Sequence, residues 1–267
     1  MQNISRIQNS IQNSRNKPAF IPFVVAGFPD LETTKDLIKL FEQKGAAAVE
    51  IGFPHSDPLA DGPVIQQAAK YSLENGINAD KIFNTLEEIK AEISVPIILF
   101  TYFNPVFKYG IKRFLEKAAA VNAAGLIIPD LPLEESEEIK ILCKKFNMDF
   151  IMLVSPASGT ERIQNIARNS SGFIYLVSST GVTGVRKDFS EKLTNIFREI
   201  KAVTTTPVAV GFGVSAPEHV QKLRTLGAEG FIIGSAIVKI IDKYKDNKMI
   251  LLDNLHNYLK TMDISNG

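Results

Sequence analysis

Eight short apolar runs, set apart by stretches of amphipathic character, constrain this chain more than any other feature of it. They cover residues 20–25, 46–52, 96–102, 125–130, 149–155, 172–178, 207–213 and 230–234. Each is apolar on both faces, so each needs cover on both, as a parallel strand between helices does. Residues 31–44, 111–121, 134–146, 188–202 and 217–226 carry the spacing of amphipathic helices. Several open on an acceptable cap, as Ser215-Ala-Pro-Glu does. Eight such units in about 250 residues predict an α/β fold, a (β/α)8 TIM barrel forming one domain over 1–267, with its chemistry at the C-terminal strand ends. The rival, a doubly wound open sheet, calls for a glycine-rich turn after the first strand. That strand ends instead in Val25-Ala-Gly27-Phe-Pro.

Composition narrows the function without naming it. A chain of 267 residues buries a sizeable core without staples. Its formal charge of +1 gives no reason to expect nucleic acid or an anionic membrane as partner. The single cysteine, Cys143, forms no internal disulfide and reads as a small packing residue. No apolar run approaches the roughly 20 residues that span a bilayer. The first 18 residues contain no acid, but Ile4, Ile7 and Ile11 fall at helical spacing, so an extra N-terminal helix packed on the body is expected there rather than a transit peptide. The expected setting is the cytoplasm, or the plastid stroma if the chain is organelle-encoded.

The most informative stretch is Val49-Glu50-Ile51-Gly52-Phe53-Pro54-His55-Ser56-Asp57-Pro58-Leu59-Ala60-Asp61-Gly62-Pro63. Strand side chains alternate, so Glu50 shares a face with Ala46 and Ala48. If that face points inward, small alanines leave room beneath a carboxylate held among apolar groups. Desolvation then favours its neutral form, which suits acid–base work near neutrality. No Lys or Arg lies in the nearby strand segments to neutralise it. Asp61 follows 11 residues later, in a proline-rich loop long enough to fold over the barrel mouth.

A divided anion site is the second constellation. The sixth run leads into Ser178-Ser-Thr-Gly181-Val-Thr183-Gly184, the seventh into Gly211-Phe-Gly213-Val-Ser215, and the eighth into Gly234-Ser235. Glycine allows close backbone approach to an anion, and helix-start N–H groups point towards it. No basic residue stands inside these segments, so backbone donors are expected to hold a phosphate. By alternation Phe23, Phe100, Tyr102, Ile127, Leu153, Tyr175, Val177 and Phe212 line the upper barrel, which describes a slot for a flat apolar group joined to a phosphate ester. His55, His219 and His256 lack the spacing of zinc ligands, and neither a P-loop nor a nucleophile elbow occurs. Asp57 and Asp61 read as turn or cap residues rather than as a metal pair.

The segment from Glu50 to Gly62 resembles the signature of the tryptophan synthase alpha family. Phe20-Ile-Pro-Phe23, Gly125-Leu-Ile-Ile-Pro-Asp130-Leu-Pro132, Tyr175-Leu-Val-Ser-Ser-Thr-Gly and Val210-Gly-Phe-Gly213 extend the likeness over nearly the whole chain. The resemblance implies a lyase that cleaves indole-3-glycerol phosphate to indole and glyceraldehyde 3-phosphate. It implies Glu50 and Asp61 as the catalytic pair with Tyr175 beside them. Phe23, Phe100, Ile127, Leu153 and Phe212 would hold the indole; separately, the two glycines of the loop over 181–187 permit hinge motion, so that loop is expected to act as a lid that brings Thr183 to Asp61. Gly184, Gly213, Gly234 and Ser235 would hold the phosphate. It also implies no metal and no cofactor in this chain. Docking to a pyridoxal-phosphate beta subunit in an alpha2beta2 complex would use the loop around Asp57 and the rim near Asn104, Asp130 and Pro132. His55 and Ser179 depart from the residues usual in the family.

Overall fold

The computed structural model describes residues 5–177, 187–211 and 213–262. Its first half runs α1 (Arg6–Asn13), β1 (Ala19–Val25), α2 (Leu31–Gln43), β2 (Val49–Gly52), α3 (Pro63–Glu74), α4 (Ala79–Ile89), β3 (Ile97–Phe100), α5 (Phe103–Tyr109), α6 (Ile111–Ala120) and β4 (Gly125–Ile127). A single 3-10 turn (Leu133–Glu135) leads to α7 (Glu137–Lys145), β5 (Asp149–Ile151), β6 (Leu153–Val154), α8 (Thr160–Asn169) and β7 (Ile174–Val177). The chain continues with α9 (Lys187–Lys201), β8 (Val208–Gly211), α10 (Pro217–Thr225), β9 (Gly230–Ile233), α11 (Ser235–Tyr244) and α12 (Lys248–Thr261).

The strands form one sheet in the order β5-β4-β3-β2-β1-β9-β8-β7-β6, parallel at every recorded pairing. Strands β5 and β6 are one run of chain divided at Met152: its first part pairs with β4 and its second with β7. The sheet therefore returns upon itself as a barrel, and each of the eight apolar runs supplies one stave. Helices cover the outside, which explains why nearly every strand residue is buried on both faces. No helix among the described residues is long and apolar enough to cross a membrane.

Local chemistry sets the helix starts. Asp30 accepts from Thr33 N at 2.6 Å to open α2, and Asn78 and Asn247 do the same for α4 and α12. Pro63 stands at the first turn of α3, where its missing N–H costs nothing. Ser215 does not cap α10 as expected. The cap position is Ala216, one residue later, and Pro217 sets the first turn; the Ser215 amide instead donates to His219 Nδ1 at 3.2 Å.

The N-terminal helix is present and closes the bottom of the barrel. Ile7 and Ile11 are fully buried, each burial being worth about 1.5–3 kcal/mol. A β-carbon at Gly125, on the inner face of β4, would lie 2.7 Å from Ile7 Cδ1. Arg6 fastens the helix by donating to Asn122 Oδ1 at 2.7 Å and to the Ala123 carbonyl at 2.8 Å. Ile4 lies outside the described residues. Cys143 is buried, as expected of a packing residue.

Candidate active site

Glu50 lies in β2, in register with Phe23 on β1 and Ile98 on β3, and none of it is exposed. Among the described residues neither carboxyl oxygen has a hydrogen-bond partner. Burial drives its pKa well above the ordinary carboxylate range. An unpaired buried carboxyl is costly to a fold and is retained where a proton must be held.

Asp61 stands at the end of the loop between β2 and α3, where its amide donates to the Pro58 carbonyl at 3.0 Å. The Tyr102 hydroxyl donates to Asp61 Oδ2 at 3.0 Å and accepts the Ala60 amide at 3.0 Å. The His55 ring packs on Tyr102, with centroids 5.0 Å apart and planes inclined by 31°. Burial raises the Asp61 pKa to about 6, and the Tyr102 bond pulls against that rise. Asp61 is thus mostly ionised at neutral pH, close to its titration.

Tyr175 on β7 is buried, and burial together with the charges of Glu50 and Asp61 raises its pKa, so the phenol keeps its proton. Space for it comes from Gly211 on β8, where a β-carbon would fall 2.2 Å from the Tyr175 hydroxyl oxygen. Gly52 serves Phe23 in the same way, a β-carbon there meeting Phe23 Cζ at 2.6 Å. Phe23 in turn meets Phe100 edge-on at 5.4 Å.

Phe23, Asp61, Phe100 and Tyr175 border a cavity of about 260 Å³ at the C-terminal strand ends, whereas Glu50, in register with Phe23, is not among the residues that line it. Of the residues expected from sequence it brings together Phe23, Asp61, Phe100, Tyr175, Gly213, Gly234 and Ser235. Ile127 is fully buried away from its lining, and Leu153 borders a separate cavity of about 460 Å³ between the ends of β4 and β6. Thr183, Gly184, Phe212 and most of the lid segment lie outside the described residues. Phe23, Phe100, Ile65 and Ile232 give the cavity apolar walls. Gly213, Val214 and Ser215 after β8 and the start of α11 at Gly234, Ser235 and Ala236 complete the lining, a β-carbon at Gly234 lying 3.3 Å from Phe23 Cδ1. Helix α11 has no side-chain cap and no acid in its first turn, which leaves its leading N–H groups to an anion.

Sequence reading did not find the Tyr102–Asp61 bond, nor Ile65 and Lys239 in the lining. Lys239 carried a signal: it stands four residues after Ser235, one turn along the same helix face. Among the described residues no three His, Cys, Asp or Glu side chains gather as a metal site.

The sequence profile described as tryptophan synthase alpha chain matches residues 10–265. The chain is 45% identical over 235 residues to the tryptophan synthase alpha chain of Prochlorococcus marinus subsp. pastoris, covering 88% of this chain and 84% of that one. It is 45% identical over 228 residues to the alpha chain of Arabidopsis thaliana, covering 85% and 83%. The fold matches a chain in the crystal structure of the tryptophan synthase complex from Pyrococcus furiosus with a TM-score of 0.84 at 32% identity, covering 92% of this chain and 98% of that one.

Proposed function

The chain belongs to the tryptophan synthase alpha chain family, and on that premise we propose that the cavity lined by Phe23, Asp61 and Tyr175 is where it carries out the alpha reaction, with Glu50 acting from the strand beside Phe23. That reaction is the retro-aldol cleavage of indole-3-glycerol phosphate to indole and glyceraldehyde 3-phosphate, making the chain a carbon–carbon lyase of tryptophan biosynthesis. The observation that carries the site assignment is the Glu50 carboxyl, buried with no hydrogen-bond partner among the described residues and in register with Phe23, which lines a cavity also bounded by an uncapped helix start.

Indole leaves poorly until its C3 is protonated. Glu50, kept protonated by burial, delivers that proton to C3 and converts the ring to its indolenine form. The resulting carboxylate takes the proton of the hydroxyl on the carbon bonded to C3. The C3–carbon bond then breaks, its electron pair returns to the ring, and the alkoxide carbon becomes the aldehyde of glyceraldehyde 3-phosphate. Asp61, fixed by Tyr102, accepts the indole N–H and offsets the positive charge that protonation places on the ring. Tyr175, neutral and close enough to feel both carboxyls, confines the ring. The sequence of steps moves protons and one electron pair, work that two carboxyls can do unaided.

The phosphate end is assigned to Gly213, Gly234 and Ser235, whose backbone lies open to the cavity. The lid role of Thr183 and the phosphate contact of Gly184 belong to the same reading. Docking of a beta subunit is assigned to the catalytic rim, where Leu59 and Phe107 are 83% and 64% exposed. Asp130 braces that rim by accepting the Phe103 amide at 2.9 Å. One experiment tests the reading: indole release from indole-3-glycerol phosphate, measured with and without a beta subunit. Release that is absent in both conditions from folded protein overturns it.

A further inference from the structure

Among the described residues two charged side chains border the cavity, Asp61 from the loop before α3 and Lys239 on α11. Asp61 has its place in the reaction, whereas Lys239 has none so far. It stands one turn beyond Ser235 on the helix whose first N–H groups face the cavity, and it is solvent-exposed. Among the described residues no carboxylate lies within ion-pair distance of it, although Lys243 and Lys245, the next lysines of the same segment, engage Tyr244, Asp242 and Tyr71. A lysine stem of four carbons spans one helical turn, so its ammonium can reach back to the position of Ser235.

We propose that Lys239 is a phosphate-recognition residue of this site, adding a full positive charge to the backbone donors of Gly213, Gly234 and Ser235. The inference rests on the site assignment above and deepens it. A phosphate monoester at neutral pH carries nearly two negative charges. A helix start supplies the equivalent of about half a positive charge, and its reach ends within the first turn. Backbone donors alone therefore fix the position of a dianion but leave most of its charge to solvent. Lys239 answers the remaining charge from the solvent side, where a flexible ammonium captures an arriving phosphate before the backbone seats it. Sequence reading assigned this end of the substrate to backbone donors alone; the lysine escaped it by lying beyond the glycine segments.

The test uses the full chain and reads KM, kcat and competitive inhibition by inorganic phosphate, with indole as the uncharged probe. In Lys239→Met the KM for indole-3-glycerol phosphate and the inhibition constant of phosphate should both rise about tenfold, the scale of a partly exposed charge-assisted contact. Most of the loss should appear in KM rather than kcat. Binding of indole should be unaltered, Lys239→Arg should restore most of the affinity, and the salt dependence of KM should flatten in Lys239→Met. Phosphate inhibition unchanged in Lys239→Met overturns the proposal. So does a fall in kcat with an altered pH profile and unchanged phosphate inhibition, which would tie Lys239 to Asp61 instead. Gly234→Val keeps the two readings separate. If it abolishes phosphate inhibition while Lys239→Met does not, the site stands and the lysine role fails. If neither variant matters, the phosphate site itself is misplaced.

Discussion

The Tyr102 hydroxyl donates to Asp61 Oδ2 and accepts the Ala60 amide, each at 3.0 Å, so one phenol holds two successive residues of the catalytic loop. The bond favours the ionised form of Asp61 against a burial that disfavours it. Removing it in Tyr102→Phe lifts the Asp61 pKa further above 6, and the acid limb of kcat/KM should move to higher pH by about half a unit to one unit. Activity falls by roughly 3- to 10-fold well below pH 6 but by no more than about 2-fold at pH 7, and largely returns by about pH 8.5. A loss of equal size at every pH would mean that Tyr102 only shapes the loop.

Glu50→Gln keeps the shape of the side chain and removes its proton. Turnover should drop by at least about 100-fold, the scale of a lost general acid–base group. Circular dichroism on the same sample confirms that the barrel is intact. Near-normal indole release from that folded variant sinks the assignment.

Asp61→Asn separates activity from stability. The folded pKa of Asp61, about 6, lies above its unincorporated value of 3.8. Its ionised form therefore costs stability above pH 6, and the cost fades as pH falls from about 6 towards 4. A shift of about two units corresponds to at most roughly 3 kcal/mol. Thermal or urea unfolding of the unliganded protein should show Asp61→Asn more stable by about 1–3 kcal/mol at pH 7.5 and equal to the parent near pH 4. Indole release should be lost at both. A variant that is less stable at pH 7.5 contradicts the burial assigned to this carboxyl.

Gly211→Ala places a methyl group 2.2 Å from the Tyr175 hydroxyl oxygen and 2.4 Å from two of its ring carbons. Either strand or ring must shift, at a cost of about 1–3 kcal/mol with reduced turnover. In a Tyr175→Leu background the same change should cost much less, since the two positions share one contact. Equal costs in the two backgrounds would show that the backbone of β8, and not Tyr175, is what excludes the methyl.

The staves of the barrel were legible because burial on both faces writes itself as an unbroken apolar run. Their ends were not. The run at 125–130 is paired only through Ile127, since beyond it the chain turns out to place Asp130 under α5. The run at 149–155 reads as one strand, yet its neighbours change at Met152, a matter of barrel closure that no local pattern encodes. Glu50 was legible as an isolated acid in an apolar strand. The Tyr102–Asp61 bond was not, because it joins residues 41 positions apart whose meeting depends on how a loop folds back. Ser215 failed as a cap by one position, Pro217 having fixed where α10 begins.

The helix that Ile7 and Ile11 seat against the lower end of the barrel leaves the catalytic rim, among the described residues, as the one open end of the chamber. If the alpha reaction takes place in this chamber, substrate and both products share the same mouth and the three cannot pass independently. Whichever product lingers blocks the next arrival, and a lingering aldehyde phosphate obstructs turnover even after indole has gone. A subunit docked on that rim therefore acts on traffic as well as chemistry: by taking indole at the doorway it fixes the order of departure. In such a one-door chamber, inhibition by each product reports which of them leaves last.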